Sequence, residues 1–373
     1  MQNKKISPAS LLKNIRAHLD SKRKKDIKFV FFLSILSSLA ESISIALLVP
    51  FVSFFVNPDN YLFNNLFKSF FNFFNLSSEK DVLTTVSLSF IFIVMLSGLI
   101  KLKYIKSSNA LTDNITSDFR VKVFNFLINQ DYSYYFKFGS NEIMSNLSQK
   151  TGSFTTIIFS SINIVNSILI SSAIMIVLII NEPFYTPIII LTIILFFFIV
   201  FKIKSKSVLK KGQTVSSNQN SMIDVFQNTV GYLPEIIVYD IRKFFSATLS
   251  KSSTETASAT SEVRTISASP RIYLESFVII LIILIIYFSD FNERSIEANI
   301  SYLAILAFGT QKCLPLINNV YNLSINFKNA TPIVDSFLQI LDRGNEIKFE
   351  EKKISPLNFS QSIKLENISF QYN

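Results

Sequence analysis

The run Phe29-Val-Phe-Phe-Leu-Ser-Ile-Leu-Ser-Ser-Leu-Ala-Glu41-Ser-Ile-Ser-Ile-Ala-Leu-Leu-Val-Pro50-Phe-Val-Ser-Phe-Phe-Val56 contains a single ionisable side chain, Glu41. A membrane helix needs about 20 mostly apolar residues, so this run is long enough to cross a bilayer. Its 18 Leu, Ile, Phe and Val residues favour insertion by roughly 0.3–0.6 kcal/mol each, about 5–11 in total, against about 3 for one buried charge. The run tolerates its glutamate. It is too long for the core of a signal peptide and no small-residue cleavage site follows it, so it reads as a retained span.

Working outward, Val82 to Ile100, Phe154 to Ile180, Phe184 to Phe201 and Ile272 to Phe288 are apolar runs of similar kind. A sixth, Ile300 to roughly Ile325, starts apolar and turns polar through Gln311, Lys312, Asn318 and Asn319. Such a helix should face protein or water, because lipid penalises those groups. The expected fold class is an all-α membrane protein with six transmembrane helices. The composition, 49% hydrophobic and 14% aromatic with only 7 Gly, is too apolar for an ordinary soluble domain. One cysteine, Cys313, and one histidine, His18, leave no internal disulfide and no metal-ligand spacing.

A net charge of +10 suits either nucleic acid or an anionic membrane surface, and its distribution decides. Residues 1–28 carry nine Lys or Arg, 101–153 seven, 202–271 ten and 318–373 six, whereas 57–81, 181–183 and 289–299 carry two, none and one. By the positive-inside bias, both termini are expected in the cytoplasm, and topology accounts for the charge without nucleic acid. The two inner loops are 53 and 70 residues long. Apolar residues at helical spacing, such as Phe119, Val123, Phe126 and Leu127, predict helix there. As hairpins, their arms would reach about 35–50 Å beyond the membrane.

Six spans with both inner loops stretched in this way resemble the transmembrane domain of ABC exporters. The closing run Ile363-Lys-Leu-Glu-Asn-Ile-Ser-Phe-Gln-Tyr372 resembles the opening strand of that family's nucleotide-binding domain. The resemblance implies that Tyr372 stacks on the adenine of ATP, with Mg as the companion ion in the full-length protein. No Gly-x-x-x-x-Gly-Lys-Ser/Thr phosphate loop occurs in these residues, so they are not expected to hydrolyse ATP. The implied organisation is a transmembrane domain over 1–335, a linker over 336–360 and an incomplete nucleotide-binding domain over 361–373. Tyr134 to Glu142, with Tyr135 and Phe136, looks like the family's first coupling helix. Gly231 to Phe245 is similar to its second coupling region, centred near Tyr239 to Phe245 and including Arg242.

Within the exporters, three stretches resemble the flippases that move lipid-linked oligosaccharides across the bacterial inner membrane. They are Pro270-Arg-Ile-Tyr-Leu-Glu275, the first-span pattern marked by Glu41 and Pro50, and Lys312-Cys-Leu-Pro315. The resemblance implies a homodimer that encloses a cavity where Arg271 and Lys312 meet a pyrophosphate through charge-assisted hydrogen bonds. It also implies a second cation two turns past Lys312, where this chain has Asn319. Rival cargoes are another lipid or a peptide, and a membrane protein without transport activity is a further alternative.

Other residues are read directly. Between Tyr61 and Leu76, Phe63, Leu66, Phe67, Phe70, Phe71 and Phe74 form one stripe and Asn64, Asn65, Lys68 and Asn72 the other side. This predicts an amphipathic helix about 24 Å long that either lies at the outer interface, where Phe67, Phe70 and Phe71 would touch a lipid tail, or packs on its own spans. Glu41 reads either as a functional group in the membrane or as polar glue between helices. Glu275 stands four residues after Arg271 and is expected to pair with it.

Overall fold

The computed structural model describes residues 8–47, 79–130, 150–181, 183, 185–288, 296–346, 362, 364 and 366–369. Those residues form helices α1 (Pro8–Ala17), α2 (Ser21–Ala46), α3 (Glu79–Ile128), α4 (Thr151–Asn181), α5 (Tyr185–Gly231), α6 (Leu233–Val238), α7 (Arg242–Phe288) and α8 (Ile296–Glu346). No strand occurs among the described residues. The described part of the predicted terminal strand, 366–369, is not paired, and a strand needs a neighbour to satisfy its backbone.

The fold is therefore all-helical. Among the described residues, three helices are long and apolar enough to cross a membrane, at Ser21–Ala46, Ser87–Ile128 and Thr151–Ile180, and a shorter apolar stretch, Thr186–Phe196, opens α5. The remaining runs expected from sequence lie within α7 and α8. At 1.5 Å per residue, the 50, 47, 47 and 51 residues of α3, α5, α7 and α8 reach about 70–77 Å, more than twice a hydrocarbon core of about 30 Å. In each, the apolar run and the polar run beside it thus belong to one continuous rod. Pro270, Pro315 and Pro332 lie inside α7 and α8, which continue past them because packed neighbours and shifted hydrogen bonds accommodate the lost donor.

The helices sort into two groups. α4 packs along α8, α2 packs between α3 and α4, and α5 packs mainly along α7. The first group holds a core contributed by five helices, with Leu11 and Ile15 from α1, Leu33 from α2, Phe119 and Val123 from α3, Phe154 from α4 and Val334 from α8. Phe119 and Phe154 are fully buried and stack at 4.3 Å between ring centroids. The spacing Phe119, Val123, Phe126, Leu127 read from the sequence is the buried stripe of α3. A smaller core joins Ile189 and Ile193 of α5 to Leu274 and Val278 of α7 and to Leu314 and Tyr321 of α8.

Two ion pairs fix the register of α2 against α3. Arg23 Nε donates to Asp118 at 2.6 Å, and Lys101 Nζ donates to both Glu41 oxygens at 3.0 Å. The two helices are antiparallel, so Phe29 stands level with about residue 112 and Lys101 with Glu41, some 20 Å farther along α2 than Lys28 by helix rise. Lys101, which the sequence assigns to the inner loop, therefore lies at a level within the apolar run of α2.

Candidate functional site

Glu41 is the focus of the described polar groups. Its residue is 6% exposed, and a buried carboxylate is stable only when paired and hydrogen-bonded. Lys101 from α3 supplies the pairing with two hydrogen bonds of 3.0 Å. Lys312 from α8 stands with Nζ 3.9 Å from Glu41 Oε1, and its ammonium lies 5.7 Å from the centroid of the Phe308 ring, within cation–π range. Two of the residues singled out from sequence, Glu41 and Lys312, are thus brought together by α2 and α8. Lys101 completes the set. The carboxylate is covered, but the Lys101 and Lys312 side chains are 41% and 45% exposed. One negative and two positive charges leave the cluster with a net positive, solvent-reachable side.

The other cavity candidates are engaged differently. Arg271 Nε donates to Glu275 at 2.8 Å as an i, i+4 pair with both side chains about half exposed, the partnership expected from spacing. Such a pair contributes about 0.3–0.5 kcal/mol, so Arg271 can leave it at low cost, though at rest its charge is neutralised. Asn319 Nδ2 donates to Ser167 Oγ at 3.1 Å, which ties α8 to α4. One step along α4, Asn166 accepts from the buried Ser34 of α2 at 2.9 Å. Small residues let these helices approach closely: a Cβ on Gly309 would fall 2.6 Å from Leu178 Cδ2. Cys313 is buried beside Ile45, Ile170 and Ile174, as a small packing residue. His18 packs on Phe119 at 6.4 Å between ring centroids, with Nδ1 3.0 Å from the Asn14 carbonyl.

The stretch Gly231–Phe245 has a definite shape. α5 ends at Gly231, α6 makes one short turn from Leu233 to Val238, and Tyr239 caps it. Asp240 takes a left-handed backbone at φ 50°, a conformation open to Asp because its short polar side chain tolerates it. That bend reverses the chain into α7, which opens with Arg242 and carries Phe245 in its first turn. The short helix thus begins six residues before the segment the sequence singled out. Large apolar side chains are exposed around this turn, Val238 at 78%, Tyr239 at 74% and Phe244 at 67%, beside the exposed charges Glu235, Asp240, Arg242 and Lys243.

Tyr135, Phe136 and Glu142, the outer-loop residues Phe67, Phe70 and Phe71, and Tyr372 lie outside the described residues. Lys101 was missed because it follows immediately on an apolar run and counted only toward orientation; a lone membrane carboxylate facing an unassigned lysine at a helix boundary was the available signal. The chain matches no protein-family model.

Proposed function

We propose that this chain is the transmembrane domain of an ATP-driven ABC exporter that flips a lipid-linked oligosaccharide or related glycolipid across the bacterial inner membrane. The observation that carries the exporter reading is the length of α3, α5, α7 and α8, 47–51 residues each. Rods of that length join a membrane cavity to a distant cytoplasmic motor. In this reading the turn at α6 is one docking point for a nucleotide-binding domain, which binds ATP and Mg, and both termini are cytoplasmic. A second copy of the chain supplies the other half of the cavity. The exposed apolar residues of the α5–α7 pair, such as Phe198, Ile203 and Tyr273, are suited to meet that copy or lipid.

The glycolipid cargo rests on the Glu41–Lys101–Lys312 cluster. Its two half-exposed ammonium groups can bind pyrophosphate oxygens, while Glu41 holds the lysines in place. A less charged lipid is a second reading, favoured by the Arg271–Glu275 pair and by the engagement of Asn319 with Ser167. Inverted membrane vesicles from cells carrying the gene should move a pyrophosphate-linked glycolipid across the bilayer only when ATP is supplied, and Lys312→Gln should lower the rate severalfold. Equal movement in vesicles lacking the gene would reject the exporter reading. ATP-dependent transport of a simple phospholipid, unchanged by Lys312→Gln, would transfer it to the second cargo.

A further inference from the structure

A cavity of about 470 Å³ opens between α1, α2, α3 and α4, away from the cluster just described: none of Glu41, Lys101, Arg271 or Lys312 lines it. Its volume falls in the range of about 300–1,000 Å³ usual for pockets that bury a small ligand. The wall is mostly apolar, with Ile15, Tyr104, Ile158 and Ile162 at its back. Phe31 and Val165, 50% and 42% exposed, stand at its open side.

Three cations also line it, Arg16 from α1 and Lys24 and Lys28 from α2, and no carboxylate does. The two acids of the segment 8–30, Asp20 and Asp26, are engaged elsewhere. Lys122 holds Asp20 at 3.0 Å and Arg23 holds Asp26 at 3.3 Å. Along α2 the lining runs Lys24, Lys28, Phe31, Ser34, which at 1.5 Å per residue spreads charged and apolar ends over about 15 Å. The basic end belongs to the cytoplasmic side by the charge bias of the sequence.

We propose that this cavity is a binding site for one anionic phospholipid of the cytoplasmic leaflet. The phosphate meets Arg16, Lys24 and Lys28, and an acyl chain lies against Phe31, Ile158 and Ile162. A free phosphate would use the cations and leave the apolar wall wet, whereas a zwitterionic lipid would fill the wall and leave three cations without an anion. Only an anionic lipid satisfies both ends, as in basic pockets between membrane helices generally. The site is independent of the proposed cargo, since it requires only that the chain sit in a membrane with its basic N-terminal segment on the cytoplasmic side.

The test is native mass spectrometry of the detergent-purified full chain titrated with dioleoylphosphatidylglycerol or dioleoylphosphatidylcholine. One phosphatidylglycerol should bind about tenfold tighter than phosphatidylcholine. The triple variant Arg16→Gln, Lys24→Gln, Lys28→Gln should lose that preference. Lys103→Gln with Lys106→Gln, which do not line the cavity, should keep it. Ser161→Phe, which fills the cavity and leaves the charges, should weaken phosphatidylglycerol binding several-fold. Equal affinity for the two lipids in the unaltered chain would overturn the proposal, as would an equal loss in the Lys103, Lys106 control, which would mean diffuse surface charge. Should Ser161→Phe fail to fold, the triple variant against its control decides alone.

Discussion

The group built from α1 to α4 with α8 and the pair α5–α7 both carry helices of 47 residues or more and cover them in different ways. The first buries a stripe of its extensions within its own chain, although Val121, Phe124 and Ile128 of α3 stay about half exposed. Phe119, Phe154 and Val334 are fully buried, and Arg23, Lys101 and Lys122 are each paired to a carboxylate of another helix or of the α1–α2 turn. The α5–α7 pair carries a surface ion pair, Lys211–Glu262 at 2.8 Å, and exposes large apolar side chains along its length, from Phe198 to Val230 and Val238. Exposed apolar patches of that kind mark contact sites for lipid or protein. The difference teaches where this chain is self-sufficient and where it is built to meet something else.

Substitutions can break that contrast. The largest effect is expected at the stacked core: Phe154→Ala should destabilise by about 3–5 kcal/mol in thermal unfolding of the solubilised chain, whereas Tyr273→Ala, 63% exposed, should shift it by less than about 0.5 kcal/mol. Equal effects would erase the distinction between the groups. Next comes the cluster. Lys101→Met strands the buried Glu41 and should cost about 2 kcal/mol, below the 3–5 of a fully buried pair, because Lys101 is 41% exposed and Lys312 stands 3.9 Å away. Adding Glu41→Met should restore most of that loss; no recovery would mean that the two residues act separately.

Helix approach should matter less. Gly309→Val drives a side chain into Leu178, and overpacking of this kind costs about 1–3 kcal/mol, with partial rescue by Leu178→Ala. Absence of rescue would place the strain elsewhere. The smallest effect belongs to the surface: Lys211→Gln should change stability by less than about 0.5 kcal/mol in the same unfolding measurement. A loss above 1 kcal/mol there would show the α5–α7 arms to be more tightly bound to each other than their exposure indicates.

Much of the fold was legible because two simple periods are written in the chain. The apolar runs gave helices, three of which are long and apolar enough among the described residues to cross a membrane, and Phe119, Val123, Phe126 and Leu127 announced that α3 continues past its apolar run. Spacing of four gave the Arg271–Glu275 pair. What escaped depends on relations between helices. Lys101 meets Glu41 only because Arg23 and Asp118 set the register of α2 on α3, and no local pattern encodes that offset. The bend at Asp240 escaped for a similar reason, since a single left-handed residue outside glycine leaves little trace in sequence. The inward pull of Asn319 toward Ser167 joins positions 152 apart, and helix packing alone decides it.

The orientation of the α5–α7 arms bears most directly on the whole account. Cys313 is the sole cysteine, so Val238→Cys in a Cys313→Ser background gives one reactive thiol at a residue 78% exposed. A membrane-impermeant thiol reagent should label it in inverted vesicles and leave it unlabelled in intact spheroplasts, as cytoplasmic arms reaching toward a motor require. Labelling in intact spheroplasts would put the arms outside the cell and contradict the exporter arrangement.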